Sequence, residues 1–339
     1  MDTNTDKSPL PTPPFHILPN IHNLRDAALS VTTSTGASLR PNILFRSADV
    51  SKLEVGDWKA LNKLGVAHVF DLRSKPEIDK TLLVSGTEKE EEEKKGGGKT
   101  WIDKMQPAGV TRTWTPIFTE QDYSPEKIAV RFAKYMEEDV RGFVEAYTSI
   151  LHEAGPAFAV IFRYLADLPA PGKQEKGEEM KLGALVHCTA GKDRTGLFYA
   201  VLFAFLDVPA EQIANEYHLT ELGLRSIREG KVEMIMKSLA FQSYMKAQMA
   251  AATADGGGVE AAEGEEFSPE VLEMGRQAAL RMFGAKRESM MGALDVLNSV
   301  FGGAREYMKA KCGLNDGVLE RLTRNLVVRG GGRTMDAKF

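Results

Sequence analysis

Cysteine is scarce in the 339 residues, with only Cys188 and Cys312 present. Two are too few for a disulfide framework, which excludes the small stapled secreted folds and points to a reducing compartment, with the cytoplasm as the expected location. Basic charge is not in excess either: 43 Lys and Arg stand against 47 Asp and Glu, a formal net charge of -4. No overall field gathers nucleic acid or an acidic membrane surface, so any anion recognised must be caught locally. Long hydrophobic runs are missing as well. The most apolar window, Gly196 to Leu206, is too short to span a bilayer. The first residues, MDTNTDKSPLPTPPF, lack the basic and apolar regions of a signal peptide. Neither stable membrane insertion nor a leader is expected.

What is present follows an α/β pattern. Residues 1 to 15, rich in Pro, Thr and Asp, are expected to form a disordered tail before a single domain over residues 16–339. Asn42 to Ser47 suits a strand. In Val55 to Leu64 the apolar residues Val55, Trp58, Leu61 and Leu64 recur at helical spacing, and Gly65 closes the helix. Val66 to Leu72 follows as an apolar strand, so the unit is β-α-β with parallel strands. Glu88 to Lys99, a block of charges with three glycines, is expected to be a flexible, solvated insert. Further strands are expected within Val110 to Phe118 and Leu182 to His187, and helices over Gly142 to His152, Pro156 to Leu168 and Thr195 to Leu206. From Pro209 onward the chain is helical, apart from a small, acidic, flexible linker at 250–270.

Between the last strand and the buried helix lies HCTAGKDRTG, residues 187 to 196. A glycine-containing turn entering a helix offers the backbone N–H groups of Thr189, Ala190, Gly191, Lys192, Asp193 and Arg194 to an anion at the positive helix end. A nucleotide-binding Walker loop is ruled out, because Val186 stands where glycine is required and Asp193 where Ser or Thr is required. Zinc does not fit either, since adjacent His187 and Cys188 cannot complete a tetrahedral set, and no metal or other cofactor is expected. A cradle for phosphate also stabilises negative charge on sulfur, which makes Cys188 a nucleophile. Arg194 supplies a planar fork for two phosphate oxygens, and Thr195 a hydroxyl hydrogen for the sulfur when a phosphocysteine breaks. Lys192 is either a second phosphate contact or a solvated charge. A buried, inert cysteine with a surface arginine would explain none of this joint spacing.

The pattern His187-Cys188-x5-Arg194-Thr195-Gly196 resembles the signature of the protein tyrosine phosphatase superfamily. Ala190-Gly191-Lys192-Asp193 resembles in particular the bacterial and fungal tyrosine/serine phosphatases, some of which also hydrolyse phosphoinositides. Asn23 to Asp26, Leu44 to Ser47, Phe70 to Ser74, Tyr307-Met308 and Leu314 to Leu326 are similar to other segments of that group. The resemblance implies a mostly parallel central sheet flanked by helices with an extended helical C-terminal part. It also implies phosphomonoester hydrolysis through a phosphocysteine, on phosphorylated proteins with tyrosine or dual specificity, or else on phosphoinositides. In relatives, helices after the catalytic loop can form a lid; the methionine-rich stretch 230–250 is a candidate, although ordinary helix packing explains it as well. The general acid is expected to be Asp193, with Asp71, Asp122 and Asp26 as alternatives. Arg73, like Arg25 and Arg46, is a candidate for flanking the site or for pairing with carboxylates. The competing classes are a phosphate-binding pseudophosphatase, which would be expected to lack Cys188 or Arg194, and a thiol or sulfur-transfer protein. Oligomeric state is not legible.

Overall fold

The computed structural model describes residues 8–84, 100–119, 125–171, 181–238, 241–242, 244–246 and 267–328. The charged insert 88–99, most of the 250–270 linker and Asp122 lie outside them. The central sheet has five strands: β1 (Arg25–Asp26), β3 (Leu44–Ser47), β4 (Val66–Asp71), β5 (Thr111–Trp114) and β6 (Gly183–His187), in the order β1-β3-β6-β4-β5. Only β1 runs antiparallel. A second, two-stranded ribbon joins β2 (Ser38–Leu39) to β7 (Val327–Val328).

The expected β-α-β unit is present, and helix α1 (Val55–Leu64) has the predicted bounds. Gly65 ends it at φ +116°, a conformation that suits glycine. The strands flanking α1 are parallel but not neighbours, because β6 lies between them and pairs with both. All five residues of β6 are buried, as a central parallel strand covered on both faces requires. The chain leaves the C-terminal end of this strand directly into the 188–192 loop, the usual place for a ligand in an open α/β sheet.

Helices α4 (Val140–Glu153), α5 (Gly155–Asp167) and α6 (Asp193–Phe205) pack with the sheet in the main core, where Phe158, Phe162 and Phe198 stack closely. The opposite face is closed by α1 with Trp58 and Leu61 fully buried. Residues 8–15, part of the segment expected as a tail, are described. Phe15 is buried, its backbone bridges Arg25, and Asp26 N–H donates to the Pro14 carbonyl at 3.1 Å, so the segment just before residue 16 is docked by its aromatic anchor and backbone bonds. In the described part of the methionine-rich stretch, Val232, Phe241 and Met245 pack with Met136, Ala278 and Ala279 as a small third core. No helix among the described residues is long and apolar enough to cross a membrane.

Candidate active site

The loop between β6 and α6 is held from outside by its carbonyls. Thr189 O accepts from Asp49 N–H at 3.1 Å, Ala190 O and Gly191 O each accept from Asn23 Nδ2 at 3.2 Å, and Gly191 O also accepts from Arg46 Nη2 at 2.8 Å. The N–H groups of Thr189, Ala190, Gly191, Lys192 and Asp193 meet no acceptor among the described residues. Gly191 makes the turn possible at φ +61°, pressed against the Ser47 backbone of β3. Together with the N-terminus of α6 this leaves a ring of donors suited to an oxyanion.

Two buried charge clusters support the loop. Behind it, Glu216 of helix α7 (Ala210–His218) accepts from Arg25 Nε at 2.7 Å and from Arg46 Nη1 at 2.5 Å, and Arg25 also donates to Asn23 Oδ1. All three charged groups are essentially inaccessible. Two arginines against one carboxylate leave a positive excess under the turn; burial, with the nearby Arg46, lowers the Arg25 pKa to about 10. Beside the loop, Asp71 binds Arg73 through Nε and Nη2 at 3.0 and 2.9 Å and Arg112 Nη2 at 2.8 Å. Burial alone would raise the Asp71 pKa, but its cationic neighbours hold it well below the usual carboxylate range. Asp71 therefore carries no proton to give at neutral pH, and Arg73 is a partner of Asp71 and Asp49. His187 is fully buried and its pKa falls to about 4, so it is neutral beside Asp71.

Within the loop, Cys188 is 2% exposed and Thr195 is fully buried, its Oγ1 without a hydrogen-bond partner among the described residues. Asp193 opens α6, with Oδ1 accepting from Tyr147 at 2.8 Å. Arg194 presents its fork to Glu77 of helix α2 (Lys75–Val84), at 2.7 and 2.6 Å, and Glu77 also binds the hydroxyl of Thr189 at 2.6 Å and the N–H of Ser74 at 2.9 Å. A carboxylate thus holds the arginine in the fork-on geometry that an oxyanion would use. Lys192 points away from solvent. Its Nζ donates to the carbonyls of Met282 and Gly284 at 2.6 and 2.9 Å, beneath the Phe143 and Tyr135 rings.

The structure brings Cys188, Thr189, Ala190, Gly191, Lys192, Asp193, Arg194 and Thr195 into one turn and sets Asp71 and Arg73 beside it. Sequence reasoning did not find Asn23, Glu77, Tyr147, Glu216 or Tyr217 as site residues. Of these, only Asn23 lay in a segment that carried the family resemblance. No group of three or more His, Cys, Asp or Glu able to hold a metal occurs among the described residues.

Known proteins point the same way as the geometry. A model described as the tyrosine phosphatase family matches residues 16–328. The chain is 26% identical over 229 residues to the triple specificity protein phosphatase PtpB of Mycobacterium tuberculosis, covering 65% of this chain and 74% of that protein. It is also 26% identical over 179 residues to a tyrosine-protein phosphatase of Nostoc commune, covering 52% of this chain and 47% of that protein. The match runs from β1 to β7 and includes the loop after β6, so the chain belongs to the tyrosine phosphatase family and is a phosphatase of the protein-tyrosine type.

Proposed function

We propose that the chain hydrolyses phosphomonoesters on proteins through a phosphocysteine at Cys188, with phosphotyrosine as the preferred substrate and dual specificity within reach. The observation that carries this reading is the loop whose Thr189, Ala190 and Gly191 carbonyls are engaged from outside while the N–H groups from Thr189 to Asp193 meet no acceptor among the described residues. Those donors and the Arg194 fork receive the phosphoryl oxygens. The Cys188 sulfur forms a bond to phosphorus as the ester P–O bond breaks, and the leaving oxygen takes a proton from Asp193. Water then attacks phosphorus, Asp193 recovers a proton from it, and Thr195 Oγ1 donates to the departing sulfur. No step calls for a cofactor. The two relatives, a triple specificity protein phosphatase and a tyrosine-protein phosphatase, support tyrosine and broader specificity. A preference for phosphoinositides would lean on the Lys192 ammonium, which two carbonyls already engage. We further take the protein as a single catalytic domain working in the cytoplasm, where a thiol nucleophile stays reduced.

The test is phosphate release from a phosphotyrosine peptide, a phosphoserine peptide and a soluble phosphoinositide, with wild type and Cys188→Ser, each with and without chelator. The expected result is fastest turnover of the phosphotyrosine peptide, no effect of chelator, and loss of turnover in Cys188→Ser with ester binding retained. Residual turnover above about a hundredth of wild type would rule out a cysteine nucleophile.

A further inference from the structure

Asp193 does not stand alone at the head of α6. Its Oδ1 accepts from the Tyr147 hydroxyl at 2.8 Å, and that hydroxyl lies 2.6 Å from the hydroxyl of Tyr217. The rings meet edge to face, 6.3 Å apart at 81°, and both tyrosines are inaccessible, whereas the Asp193 side chain is 23% exposed. Burial pushes both phenols well above their ordinary pKa, so each keeps one proton throughout the working pH range. The Tyr147 proton is committed to Asp193, so Tyr217 must donate to Tyr147. The direction of the chain is fixed: Tyr217 O–H to Tyr147 Oη, then Tyr147 O–H to Asp193 Oδ1.

An oxygen that accepts this bond cannot also carry the transferable proton towards Tyr147. We infer that Tyr147, locked by Tyr217, is a positioning residue that confines the acidic proton of Asp193 to Oδ2, for which no donor exists among the described residues. The inference rests on the proposed role of Asp193 as general acid. The step balances simply: the Oδ2 proton goes to the leaving oxygen, leaving a carboxylate whose Oδ1 still accepts from Tyr147 and faces Lys192 Nζ at 3.5 Å. The other titratable or charged groups that act on the tyrosine pair are Tyr135 from the helix before α4, Arg46 from β3, and Glu221 just beyond α7. Among the described residues none of these three is hydrogen-bonded to Asp193, whose Oδ1 accepts from Tyr147.

The experiment compares Tyr147→Phe and Tyr217→Phe, each alone and combined with Asp193→Asn, and Asp193→Asn alone, on an alkyl phosphate and on 4-nitrophenyl phosphate. Tyr147→Phe keeps the ring that packs on Phe143 and Tyr135. It should slow the alkyl ester about tenfold more than the aryl ester, with KM unchanged and the pH limb that reports the acid displaced, and it should add nothing in the Asp193→Asn background. Tyr217→Phe should act in the same direction and more weakly, and it serves if Tyr147→Phe does not fold. Equal slowing of both esters by the tyrosine variants, while Asp193→Asn is selective for the alkyl ester, overturns the positioning role alone. Equal slowing by Asp193→Asn overturns the acid assignment and this inference with it.

Discussion

Gly191 presses the loop after β6 against the Ser47 backbone of β3, and replacing it with alanine tests whether the loop geometry is set there. At φ +61° an alanine pays roughly 1–2 kcal/mol for the left-handed conformation. Its Cβ would also overlap the Ser47 carbonyl and come within 2.8 Å of Ala48 N. Both are backbone atoms at the end of a buried strand and cannot swing aside, so a further penalty of about 1–3 kcal/mol for overpacking is expected. The total, ~2–5 kcal/mol, translates at ~2–4 °C per kcal/mol into a melting temperature lower by roughly 4–20 °C, towards the lower end because this chain is longer than the domains behind that slope. The loop can relieve the overlap only by moving off β3, which breaks the bonds from Arg46 and Asn23 to the Gly191 carbonyl. A loss of ~10²-fold or more in kcat/KM for a phosphotyrosine peptide follows. The control is Gly36→Ala, also at positive φ (+78°) but with nothing within 4 Å of the added Cβ. It should pay only the conformational cost and keep full activity. Thermal melts and steady-state kinetics on both variants suffice. Activity of Gly191→Ala within about threefold of wild type, and a melting temperature no lower than that of Gly36→Ala, would refute the reasoning.

His187 has a folded pKa of about 4 against an ordinary value of 6.5, so between those values the unfolded chain binds a proton that the folded one refuses, and stability should fall as pH drops from about 6.5 to 4. Asp26, raised to about 6 by burial, acts in the opposite sense, so the check is urea midpoints of His187→Asn against wild type, the variant showing the shallower loss. Lys192→Met should lower the melting temperature by several degrees, because two part-buried carbonyls lose their donor, and should change KM for phosphotyrosine peptide and phosphoinositide by similar factors; a selective loss on the inositol lipid would restore Lys192 as a phosphate contact. Glu77→Gln removes the carboxylate that occupies the Arg194 fork, and the inhibition constant of inorganic phosphate should fall several-fold; an unchanged constant would mean that Glu77 and phosphate use different edges of the guanidinium.

The elements best read from sequence were those whose signals are local. The periodicity of Val55 to Leu64, the glycine after it, and the run from Leu182 through the loop into the apolar helix each sit within a few turns of chain, and each appears with bounds shifted by at most a few residues. Strand β1 escaped because a two-residue antiparallel edge carries no periodicity, and the insertion of β6 between β3 and β4 is a non-local pairing. The site followed the same division. Cys188 to Thr195 stand in one motif, whereas Glu77 lies 117 positions before the arginine it binds and Asn23 lies 168 before Gly191. Nothing in the local pattern of those residues distinguishes them from ordinary helix-start and turn residues; only packing assigns their roles.

The carbonyl clamps on the loop have a kinetic consequence. They come from positions 23, 46 and 49 on one side of the motif, while the braces at 216 and at 282 to 284 come from the other. Such pairings raise contact order, and the entropy of closing those long loops is lost before the pairings are rewarded. The donor ring therefore cannot be shaped by β6 and α6 alone, however readily that unit forms. Until the first strand and the C-terminal helices have both docked, the turn after Cys188 has no reason to point its N–H groups at an anion, so the proposed site is completed by the last long-range contacts and not by the motif alone.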